Sequence, residues 1–117
     1  MNDTNYDLKS RTFNYSLSVI KFAQRIQNNH INNILINQLV RSATSIGANY
    51  EESQAADSRA DFRYKINIAL KECRETVYWL KLINKILNLE KDKCEMLIKE
   101  GREIRLILGS IYNKVKK

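Results

Sequence analysis

Apolar residues return every three or four positions through four successive stretches of this 117-residue chain, and no proline interrupts any of them. That period is the α-helix's, whose turn of 3.6 residues brings positions i, i+3, i+4 and i+7 onto one face. Glycine is almost as scarce, occurring only at 47, 101 and 109. A sheet protein of this size needs more turn punctuation, so the pattern predicts long helices with short connections.

Leu8, Thr12, Tyr15, Val19, Phe22 and Ile26 form the first stripe, which Phe13, Leu17 and Ile20 widen. The polar run QNNHINN (27–33) reads as a connection. In the second stretch Leu35, Ile36, Leu39, Val40, Ala43, Ile46, Gly47 and Tyr50 share one arc. An interior glycine costs a helix about 1 kcal/mol relative to alanine. Ala43 and Gly47, one turn apart on that arc, therefore suggest that another backbone comes close. Asp57 or Ser58 suits an N-cap, with Asp61 at capping-box spacing. Beyond it run Phe62, Ile66, Ala69, Cys73, Val77, Leu80, Ile83 or Asn84, and Leu87, and past a turn near Leu89 come Leu97, Gly101, Ile104, Leu108, Ile111 and Val115. The expected fold is all-α: a single domain over 1–117, an antiparallel up-down-up-down four-helix bundle with helices near 6–27, 31–55, 58–88 and 91–115.

Catalytic chemistry finds little support. His30 is the only histidine, which leaves a bundle-type di-iron centre short of ligands. Glu51 and Glu52 are adjacent and point about 100° apart on a helix. Cys73 and Cys94 are unaccompanied by other metal ligands. At about 1.5 Å per residue they stand at different heights on a hairpin turning near Leu89, so they are expected as reduced core thiols. No enzyme activity, metal or cofactor is expected. No apolar run reaches the roughly 18 residues of a membrane span, and MNDTNYDLKS lacks the features of an export signal, so a cytoplasmic location is expected.

Two surfaces on the third helix exceed an ordinary solvated exterior. Opposite its core stripe lie Tyr64, Ile68, Trp79, Leu82 and Ile86, bordered by Glu72 and Glu75. A bundle helix needs only one buried face, so this strip reads as a subunit contact or as a broadened core arc. The outer face of the second helix, Arg41, Thr44, Ser45, Ala48 and Glu52, is low in bulk and offers a complementary patch. Arg63, Lys71, Arg74, Lys81 and Lys85 form a basic stripe, with Tyr78 the only aromatic within it. With a formal charge of +7, that stripe reads either as a track for a phosphate backbone or as a solvated face.

RSATSIGANYEE (41–52), followed by SRADFRYKINIALKECRETVYWLKLI (58–83), resembles the 23S ribosomal RNA intervening-sequence proteins, also labelled S23 ribosomal proteins. The resemblance runs from about residue 8 to the basic end and is strongest over 38–83. It implies a non-enzymatic bacterial four-helix bundle assembling into a ring, typically a homopentamer. A related branch is the accessory variability protein of diversity-generating retroelements, a basic pentamer that engages a reverse transcriptase and nucleic acid. The function expected is an oligomeric RNA-associated structural or accessory factor. The alternative is a protein-interaction scaffold, such as a reverse transcriptase accessory subunit, without RNA binding of its own.

Overall fold

Short polar side chains decide where two of the helices start. Asn29 accepts a hydrogen bond from the Asn32 backbone N–H at 2.8 Å, and Ser58 accepts one from Asp61 at 3.0 Å. Each satisfies one of the donors that a helix N-terminus leaves open. The computed structural model describes residues 4–88 and 90–115, without the side chains of 4–7; Leu89, at the expected turn, lies outside the described residues. Among these, every regular element is a helix: α1 (Thr4–Gln24), α2 (His30–Gln54), α3 (Arg59–Leu87) and α4 (Lys91–Lys114).

The polar run read as a connection is shorter than expected, because its second half is the first turn of α2. α1 stops at Gln24, ahead of the expected 27. Ile26 is still buried, since Arg25 and Ile26 donate their N–H groups back to Phe22 and Ala23 and hold the chain against the core. Between α3 and α4, Asn88 and Glu90 both take left-handed backbone angles, with φ of 50° and 49°. Asn tolerates that region better than most side chains. Glu90 is tied down there by an ion pair with Arg25, just past the end of α1.

α1 and α3 each pack against α2 and α4, while the diagonal pairs make no close approach. Neighbours are antiparallel: Lys9 pairs with Glu51 while Ser16 reaches the Ala43 carbonyl, so one helix descends as the other climbs. The long axis measures 44 Å, the length about 1.5 Å per residue gives the 29-residue α3. The helices therefore lie side by side along almost their full length.

All six residues of the first α1 stripe are buried, as are Leu35, Leu39, Ala43, Ile46, Gly47 and Tyr50 of α2. Ile66, Ala69, Cys73, Val77, Leu80 and Ile83 of α3 meet Leu97, Gly101, Ile104 and Leu108 of α4. The widening of the first stripe is corrected in part. Phe13 is 65% exposed and Leu17 also faces water, because α1 touches only its two flanking helices along a narrow stripe. Between α2 and α3 the buried Thr76 hydroxyl donates to Ser42 at 2.9 Å, and Ser42 donates to the Leu39 carbonyl at 3.1 Å. Both hydroxyls are thus paired inside the buried seam.

Candidate nucleic-acid interface

The two outer faces singled out on α2 and α3 meet at one carboxylate. Glu75 accepts from the Trp79 indole N–H at 3.0 Å and also pairs with Arg41 across the α2–α3 seam. Arg41 reaches Glu72 as well, at 3.3 Å. The indole and guanidinium donors hold the Glu75 carboxyl below its ordinary value, and the carboxylate in turn raises Arg41. Arg11 does the same between α1 and α4, with a two-pronged grip on Glu100 at 2.6 and 3.0 Å and a contact to Glu103. Arg41 is thus committed within its own chain.

Of the apolar strip, Ile68, Trp79 and Leu82 are half-buried, while Tyr64 and Ile86 are exposed. Trp79 packs against its own core, and Tyr78 stands edge-on to it with ring centroids 5.2 Å apart. On α2, Ser45 is half-buried, while Ala48 and Glu52 are exposed. Ala48 lines a shallow groove between α1 and α2 together with Thr44 and Phe13.

The basic stripe divides. Arg63 lies 3.7 Å above the Tyr112 ring centroid and donates from Nε to the Tyr112 carbonyl at 3.3 Å, tying the start of α3 to the end of α4. Lys71, Arg74, Lys81 and Lys85 remain exposed. The fold adds cations that the α3 pattern alone does not reveal. Arg74 faces Arg105 and Lys114 across one depression between α3 and α4, and Lys81 faces Lys99 and Arg102 across a second. Leu106 lines both, so the two depressions adjoin along the α3–α4 groove. Among the described residues, none of Lys71, Arg74, Lys81, Lys85, Lys99, Arg102, Arg105 or Lys114 lies within ion-pairing distance of a carboxylate. Of the acids at the groove, Glu103 is engaged by Arg11 and Glu95 stands beside Lys99.

The α4 cations escaped sequence reasoning because α4 was read for its inner stripe. The available signal was Lys99, Arg102 and Arg105 at spacings of three, which place them on one side of a helix. Tyr64 is exposed and falls on the same outward line of α3 as Lys71, Tyr78 and Lys85.

Cys73 and Cys94 are free and buried. Burial pushes them up to about 12 and about 11, and the Cys94 thiol donates to the Leu80 carbonyl at 3.3 Å. Among the described residues no cluster of three His, Cys, Asp or Glu side chains is placed to hold a metal, and no helix is long and apolar enough to cross a membrane.

The model of the 23S rRNA-intervening sequence protein family matches residues 4–110. A protein with unknown function from the S23 ribosomal protein family of Bacteroides thetaiotaomicron, solved at 1.70 Å, is 33% identical. It superposes with a TM-score of 0.87 over 95% of this chain and 99% of its own. No curated protein matches. The small-residue helix, the Ser58 cap and the square of four helices thus occur together with the matching family pattern, and the chain belongs to the 23S rRNA-intervening sequence protein family.

Proposed function

We propose that this chain is a non-enzymatic RNA-associated factor that holds a phosphate backbone along the α3–α4 groove. The observation that carries this reading is the segregation of charge. Carboxylates at the other helix seams are met by Arg11, Arg25 and Arg41, whereas among the described residues no carboxylate lies within ion-pairing distance of the α3–α4 groove cations. Keeping like charges together on one face costs stability through repulsion, and a polyanion relieves it. In the same proposal the bundle self-associates head to tail into a ring. Ile68, Trp79, Leu82 and Ile86 then meet the Ser45, Ala48 and Glu52 face of a neighbour, since a closed ring joins two different patches per subunit.

The test is the salt dependence of RNA binding. The log–log slope of affinity against salt is about −0.7 per single-strand phosphate held. Lys81→Gln with Arg102→Gln removes two facing cations and should flatten it by about 1.4. No measurable affinity for RNA at about 50 mM salt would sink the reading. The protein-interaction alternative, including a reverse transcriptase accessory role, would then stand on the exposed apolar side chains Phe13, Leu17 and Ile86.

A further inference from the structure

Tyr64, Lys71, Tyr78 and Lys85 are spaced seven apart along α3, and all four are exposed. An ideal helix drifts only about 20° per seven residues, so they trace one line along the outside of the bundle. The tyrosines are 61% and 56% exposed, which leaves ring surface open to a ligand. The flanks of this line differ. Toward α4 stand Arg74 and Lys81 and the groove cations. Toward α2 stand Ile68, Leu82 and Ile86 of the apolar strip, bordered by Glu72 and Glu75, which Arg41 already occupies. A ligand lying on the tyrosines therefore finds positive charge on one side only.

We propose that Tyr64 and Tyr78 are stacking platforms for unpaired bases, so that the groove's ligand is single-stranded RNA rather than duplex. This deepens the RNA reading above and rests on it. Bases within a duplex are stacked on each other and offer no free face to a side chain. The deep, narrow major groove of A-form RNA also excludes a helix such as α3. An unpaired strand can instead lay its phosphates along the cations and turn its bases onto the rings. Every base has a π-face, so such stacking accepts any sequence.

The experiment compares a labelled single-stranded RNA of roughly 12 nucleotides with its duplex by fluorescence anisotropy, using the full chain. Wild type should prefer the single strand. Tyr64→Leu and Tyr78→Leu should each weaken single-strand binding by about fivefold or more, with duplex affinity and the salt slope unchanged. Tyr64→Phe and Tyr78→Phe should keep the wild-type affinity, because the ring and not the hydroxyl does the stacking. Trp79 is the only tryptophan and lies against Tyr78, so its emission should change on single-strand binding and cease to respond in Tyr78→Leu. Circular dichroism of each variant checks the fold. Equal affinity for both RNA forms, or full single-strand affinity in the double Leu variant, overturns the stacking role while the groove reading stands. Binding of neither form overturns both.

Discussion

The Tyr15 hydroxyl lies 2.6 Å from where a Cβ on Gly101 would stand. It donates to the Leu97 carbonyl at 2.8 Å and is buried, so it has little freedom to retreat. A methyl at 101 would also stand 3.1 Å from a Val77 methyl. Overpacking of this kind costs about 1–3 kcal/mol, partly offset by the roughly 1 kcal/mol alanine gains in a helix. Gly101→Ala should therefore lose up to about 2 kcal/mol in urea unfolding. In a Tyr15→Phe background the added loss should shrink, because the atom in the way is gone. Equal losses in both backgrounds would show that Tyr15 is not the obstacle.

Gly47 behaves differently although it sits just as deep. A Cβ there would meet Thr12 at 3.4–3.5 Å, ordinary van der Waals contact. The α1 backbone does come close, but it leaves room for a methyl. Gly47→Ala should be neutral or stabilising by up to about 1 kcal/mol, read as a raised urea midpoint with an unchanged slope.

Glu75 makes Trp79 a pH indicator. The carboxyl titrates below its ordinary value in the fold, chiefly through the indole hydrogen bond and then through Arg41. Its contribution to stability is complete above the unfolded value of about 4.3 and is lost as the pH falls through the lower folded value. Tryptophan emission should shift with a midpoint below about 4.3, and Glu75→Gln should abolish that transition and flatten the acid limb of stability. A midpoint above that value would contradict the hydrogen-bonded pair.

Thiol reactivity should separate the folded from the unfolded chain. The thiolate is the reactive form, and burial raises both cysteines to about 12 and about 11. At pH 8 the native protein should resist iodoacetamide for far longer than it takes to label both thiols in guanidinium. Rapid native labelling of Cys94 would place α4 away from Leu80.

Assembly is best probed at exposed positions. Trp79→Ala would disturb the chain's own core as well as any contact, since Trp79 packs inward. Ala48→Glu and Ile86→Lys leave the core intact. Each should yield smaller particles by light scattering, with unchanged helicity, if the proposed ring uses these faces. A wild-type monomer would dispose of the ring. Full-size particles from both variants would move the contact elsewhere.

Periodicity and the absence of proline determined the four helices, and the Leu8-to-Ile26 stripe marked the core face of α1, because burial of one side of a helix is written at 3.6-residue spacing. Ser58 marked the start of α3 for an equally local reason, as its hydroxyl reaches a donor three residues away. Small residues marked close contact, but not which glycine is obligatory; that depends on Tyr15 reaching Gly101 from another helix. Arg63, Arg41 and Arg74 look alike as letters. Only the packing sends Arg63 onto Tyr112, Arg41 onto Glu72 and Glu75, and leaves Arg74 facing Arg105. A helix's own pattern specifies which side is inward, whereas the partner of an outward cation is set by the charge on the neighbouring helix, at a distance in sequence that no local period encodes.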